Sequence, residues 1–195
     1  MIKEIFHYIY CMSIPSTLFV LVLVCSLWNI CAFKISKKQH RKMWQILNLV
    51  LFLVWFVCII YMTIFSRGNK TEINLIPFRF IYEPFITGNE EFFRVGWMNI
   101  LLFVPGGMFL SYCVKKPTKI KYVLQIIALI LISVDIEMLQ WYYKLGVVEI
   151  DDVICNTLGA IIGVTSIMWA ARIVEYVTNL TENIIKEVKI KKNKT

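Results

Sequence analysis

The chain has 195 residues, of which 58% are hydrophobic and 17% charged, and its mean hydropathy is +0.67. That balance excludes an ordinary soluble enzyme, a disordered tail and a collagen-like fibre. Lys and Arg number 21 against 13 Asp and Glu, a formal charge of +8, and the placing of that excess points to a membrane and not to a nucleic-acid partner.

A bilayer core of roughly 30 Å needs about 20 apolar residues in helix. Five stretches qualify: residues 14–33, 43–65, 97–114, 122–143 and 153–171. The first is too long for a signal peptide and has no small-residue cleavage site before Lys34, so it reads as a span. Basic residues set the orientation. Lys34, Lys37, Lys38, Arg41 and Lys42 fill the first loop, and Lys115, Lys116, Lys119 and Lys121 the third. Arg172, Lys186, Lys189, Lys191, Lys192 and Lys194 follow the last span. The positive-inside rule then puts the N-terminus outside and the C-terminus in the cytoplasm. Trp44, Trp97, Trp141 and Trp169 fall near span ends, where aromatic belts belong.

The expected fold is an all-α integral membrane protein of about five transmembrane helices. Residues 1–66 hold two spans, 67–172 a loop and three spans, and 173–195 a basic tail. In the tail Ile173, Val177, Leu180, Ile184 and Val188 recur at helical spacing, which fits either an amphipathic helix on anionic lipid or an extension of the last span. The six cysteines are scattered without metal-ligand spacing and read as core or lipid-facing residues.

Polar groups among the spans carry the functional signal, because in a bilayer they are costly unless paired or lining a cavity. Ser133, Glu137 and Gln140 share one face of the fourth span. Asp135 lies on the opposite face and reads as a structural partner for another helix. Asp152, Asn156, Gly159 and Gly163 share a face of the fifth span; the aspartate and asparagine make it polar, and the glycines permit close helix approach. Asp151 or Asp152 can also cap that helix. Counted from the helix ends, Glu137 and Asn156 come out about 9 Å and 6 Å deep, near one level, with Asn99 entering from the same side. The loop above holds Arg79 and Arg94 and an apolar segment, Ile73 to Phe78, that reads as interfacial or partly re-entrant.

Four blocks, taken together, resemble the VanZ-like family of bacterial membrane proteins. They are Asn74-Leu75-Ile76-Pro77-Phe78, the run from Asn99 to Gly107 ending Val104-Pro105-Gly106-Gly107, Glu137-Met138-Leu139-Gln140, and Asp151-Asp152-Val153-Ile154-Cys155-Asn156-Thr157-Leu158-Gly159-Ala160. They run in order from about Asn74 to Gly163, inside the 67–172 segment. Many members carry an arginine and an aspartate just before the paired aspartates, where this chain has Gly146 and Glu149. The resemblance implies a multi-pass plasma-membrane protein linked to low-level resistance to teicoplanin and other lipid-tailed glycopeptides.

The residues and the resemblance together lead to a non-enzymatic envelope protein that engages a lipid headgroup or amphiphile in the outer leaflet. Asn74, Arg79, Asn99, Glu137, Gln140, Asp152 and Asn156 are its expected polar contacts. The alternative is a membrane hydrolase or transferase acting on a lipid-linked substrate, with Glu137 as general base. Neither cofactor nor metal is expected, since no histidine accompanies the carboxylates. For each polar residue a purely structural role, as cap or interhelical hydrogen bond, competes with ligand contact. The orientation is checked by cysteine labelling. A cysteine at Asn89 should react from outside and one at Gln39 only after permeabilisation; the reverse pattern would invert the topology.

Overall fold

A computed structural model describes residues 24, 25, 27, 28, 31, 41–65, 70–114 and 118–192. The expected first span, residues 14–33, therefore lies mostly outside the described residues, as do most of the basic loop after it and Lys115 and Lys116. Helix α1 covers Arg41–Ile60 and widens into a π-turn at Tyr61–Phe65. Strand β1 follows at Lys70–Asn74, then α2 at Arg79–Thr87, α3 at Glu91–Tyr112 and α4 at Lys119–Tyr143. Strand β2 at Leu145–Glu149 leads directly into α5, Ile150–Lys192.

Among the described residues four helices are long and apolar enough to cross a membrane: Lys42–Thr63, Glu91–Tyr112, Lys119–Tyr143 and Ile150–Ala170. They match the last four expected stretches, with α3 starting six residues earlier than expected. Helix α5 continues past its apolar part without a break, about 65 Å in all at the helical rise. The basic tail is thus an extension of the last helix, with Ile173, Tyr176, Val177 and Leu180 exposed on it.

Helix α3 is the central element. Its Phe103 and Val104 are fully buried, and with Trp55, Ile59, Leu129, Ile136, Ala160 and Val164 they make up most of the core. The Trp55 indole N–H donates to the Leu102 carbonyl at 2.8 Å, and its ring meets Phe103 edge-on at 5.5 Å. On the other side α3 presses against α5. A Cβ on Gly159 would run into the Ile100 carbonyl oxygen, and one on Gly163 into the Val104 carbonyl oxygen. Gly107 answers from α3, where a Cβ would stand 2.6 Å from the Ala160 carbonyl oxygen. Backbone lies on backbone here, as expected of the Gly159–Gly163 face.

The mainly helical fold includes one element the periodicity did not reveal. Strands β1 and β2 pair in parallel, from Lys70 opposite Leu145 to Asn74 opposite Glu149. The segment from Ile73 to Phe78, expected to be interfacial or partly re-entrant, is the end of this strand and the turn after it. Parallel strands need a long crossover, and α2, α3 and α4 supply it. Lys144 in the left-handed region (φ 56°) stops α4, and Gly146 (φ 114°) lets the chain turn back beside it. Ile73, Leu75, Ile76, Phe85 and Ile86 stay exposed at this end, a surface suited to the headgroup boundary.

Replacing Gly159 by Leu should force α3 and α5 apart and cost about 3 kcal/mol or more. Replacing the exposed neighbour Leu158 by Ala should change stability by less than about 0.5 kcal/mol. Thermal unfolding of the detergent-purified chain, followed by tryptophan fluorescence, compares the two.

Candidate functional site

The paired aspartates at the start of α5 divide their work. Asp151 reaches across to the corner before α2, accepting the Phe78 N–H on Oδ1 at 2.6 Å and the Phe80 N–H on Oδ2 at 2.9 Å. Phe78 holds φ 64°, a left-handed conformation that costs a phenylalanine free energy. Two charge-assisted hydrogen bonds on either side of it offset that cost. The carboxylate also faces the positive N-terminal end of α2. Asp151 therefore caps α2, not the helix that carries it, because β2 delivers α5 beside the Pro77-Phe78 turn.

Asp152 turns the other way, to α3, where Asn99 Nδ2 donates to its Oδ1 at 2.6 Å. Glu149, the residue before α5, lies 3.8 Å from Arg79 Nη1 and accepts from Asn74 Nδ2 at 3.5 Å. Arg79 also binds Glu83 Oε1 through Nε and Nη2 at 3.2 Å, and its guanidinium stacks 5.0 Å above the Phe92 ring. These groups edge a pocket of about 190 Å³ lined by Arg79, Phe80, Asn89, Glu91, Phe92, Val95, Gly96, Glu149, Asp151 and Asp152. Four carboxylates and one guanidinium leave it with a negative field. Arg79 is already held by two of its acidic neighbours, so the pocket suits a cationic group better than a free phosphate. Arg94 does not line it.

Beyond Glu149 lies a second concavity, an apolar groove of about 320 Å³ between the strand pair and helices α4 and α5. Ile73, Leu75, Val134, Met138, Trp141, Val148, Ile150 and Val153 form its walls, with Glu137 and Glu149 at its edge. Glu137 is 6% exposed, and its Oε2 accepts the Glu149 N–H at 3.2 Å. It holds the junction of β2 and α5.

Of the seven expected site residues, Arg79 and Asp152 line the polar pocket, Asn74 and Asn99 brace Glu149 and Asp152 from behind, and Glu137 borders the groove. Two stand elsewhere. Gln140 is fully buried and donates to the Thr63 carbonyl in the π-turn of α1. Asn156 donates to Ser133 Oγ at 2.9 Å, while its Oδ1 is buried without a hydrogen-bond partner. Glu137 and Asn156, expected near one level, bind different partners. Counting depth from the helix ends placed them level, but β2 folds back along α4, so α5 starts at the height of Glu137. Asn156 consequently meets Ser133, one turn deeper. Asp135, expected to partner another helix, is exposed on the outer side of α4. The sequence reading missed Glu149, Asn89, Glu91 and Phe92 as pocket residues; only the acidic run from Glu149 to Asp152 hinted at the first.

The arrangement is that of a helical membrane protein whose paired aspartates fix a polar pocket at one end of the bundle. A VanZ/LLP1 family model matches residues 48–172, and the chain belongs to the VanZ/LLP1 family. It is 27% identical over 130 residues to Protein VanZ of Enterococcus faecium, covering 62% of this chain and 73% of that protein. No solved structure matches it.

The two aspartates should be separable by mutation. Asp151→Ala strands two backbone N–H groups and should destabilise the chain by about 3 kcal/mol. Asp152→Asn can keep a hydrogen bond with Asn99 and should stay within about 1 kcal/mol of the wild type. Unfolding midpoints of the purified variants measure both.

Proposed function

We propose that the chain is a multi-pass plasma-membrane protein that holds an amphiphile at the outer leaflet, with an amine-bearing headgroup in the polar pocket and its acyl chain in the groove. The observation that carries the reading is the meeting of the two concavities at Glu149, which lines both. A ligand that fills both must be polar at one end and apolar at the other. The groove's volume, about 320 Å³, falls within the range of small-molecule sites, roughly 300–1,000 Å³. Its walls include Met138 and Trp141, exposed on α4 near the end that the charge pattern assigns to the outside, so an acyl chain can enter sideways from the bilayer.

Membership of the VanZ/LLP1 family supports a part in resistance to teicoplanin-type antibiotics. Occupation of the outer leaflet by a bound amphiphile, or capture of a lipid-tailed antibiotic in the same site, would lower the free antibiotic at the surface. Asp152, Glu149 and Glu91 supply the field for the cationic group, and Arg79, clamped on Phe92 and Glu83, keeps the pocket from closing on itself.

Lipid retained by the chain through detergent purification and identified by mass spectrometry tests this reading. The wild type should keep an amine-bearing lipid, and Asp152→Asn should keep about tenfold less, the effect of one lost charge-assisted contact of about 1.4 kcal/mol. In a susceptible host whose survival under teicoplanin rises with the wild-type chain, the same variant should remove the gain at normal membrane abundance. Equal lipid retention and equal survival in the variant would overturn the proposal.

A further inference from the structure

Arg79 and Glu149 face each other in the polar pocket as a loose ion pair. The guanidinium commits Nε and Nη2 to Glu83 Oε1, both at 3.2 Å, and sits 5.0 Å above the Phe92 ring. Its third nitrogen, Nη1, has only the 3.8 Å approach to Glu149 Oε1, too long for a hydrogen bond. That same oxygen otherwise meets Asn74 Nδ2 at 3.5 Å, also at the long limit. Among the described residues neither side chain has a further polar contact. The two are 26% and 27% exposed, so a ligand can reach both, yet both are largely shielded from water.

Charge decides what fits between them. A plain cation at Glu149 would stand close to the Arg79 guanidinium, and a plain phosphate at Arg79 close to the Glu149 carboxylate. Either repulsion is costly where water screens poorly. A ligand carrying both signs avoids it, with its ammonium on Glu149 and its phosphate on Nη1. One long ion pair is then exchanged for two charge-assisted hydrogen bonds. The 3.8 Å separation asks for a short link between the two charges. The ammonium must also carry N–H groups. A quaternary ammonium cannot donate to Glu149, and the Phe92 face that could attract it is already covered by Arg79.

Resting on the amine-binding reading above, we propose that the pocket takes a primary amine joined by a short link to a phosphate, as in a phosphoethanolamine lipid headgroup. Glu149 accepts from the ammonium and Arg79 Nη1 donates to the phosphate. An acyl chain then leaves through the groove that Glu149 also borders.

The test offers the full-length chain in detergent an equimolar mixture of four dioleoyl lipids and counts those retained by native mass spectrometry. They are phosphatidylethanolamine, phosphatidylcholine, phosphatidic acid and a glycerol analogue bearing a primary amine without phosphate. The wild type should retain phosphatidylethanolamine about tenfold over each of the others. Glu149→Gln should erase the preference over phosphatidic acid, and Arg79→Gln the preference over the phosphate-free amine. Loss of a different preference in each variant is a pattern that misfolding does not produce, and unfolding midpoints check the fold directly. Free phosphoethanolamine at the same concentration should displace little lipid, since it leaves the groove empty. Full displacement by it would keep the headgroup assignment and move its source from a lipid to a soluble molecule. A wild type that retains the phosphate-free amine as well as phosphatidylethanolamine would overturn this inference and leave the amphiphile reading standing. A wild type that retains neither amine lipid would overturn both.

Discussion

The close crossing of α3 and α5 sets the geometry of everything at the polar end. Gly159 and Gly163 lie against the carbonyl oxygens of Ile100 and Val104, and with lipid on the outside such contact must come from packing, not from exclusion of water. Only because the two backbones touch does Asn99 reach Asp152, about two turns before Gly159 on α5. The same approach brings the N-terminus of α5 beside α2. Asp151 can then hold the Phe78 corner, and through it the position of Arg79.

That corner shows how a strained backbone is stabilised locally. Phe78 in a left-handed conformation would relax unless it were held, and a single carboxylate accepts both its own N–H and that of Phe80. The consequence reaches Arg79, the next residue, whose guanidinium lies between Phe92, Glu83 and Glu149. The polar pocket is therefore built from the backbone outward: strand pair, corner, short helix, guanidinium. Glu137 completes the frame by binding the Glu149 N–H from α4. Its carboxyl group positions another acidic residue's backbone, which places two acidic side chains at one strand end.

Polar residues deeper in the bundle serve cohesion. Gln140 reaches the π-turn carbonyl of Thr63, and Asn156 reaches Ser133. Each supplies a hydrogen bond between elements where water is absent, the environment in which an unmet donor is most costly. Residue type alone does not separate such groups from ligand contacts, since Asn and Gln meet both needs with the same atoms.

The membrane class, the last four long helices and the glycine face of α5 were legible in the sequence, because each depends on local properties: run length, hydropathy and side-chain size at helical spacing. The family resemblance rested on short blocks whose residues are indeed the structural fixtures of the polar end, Asn74, Asn99, Glu137, Asp151 and Asp152 among them. Tertiary structure alone decided who meets whom. The pairing of β1 with β2 joins segments 75 residues apart, and no periodicity in either five-residue strand announces the other. Because β2 folds back along α4, depth counted from helix ends fails by a turn, which moved Asn156 from Glu137 to Ser133. The outward placement of Asp135 and the double use of Glu149 were hidden for the same reason. A helical face is fixed by sequence, but which neighbour it turns to is fixed by packing over the whole chain.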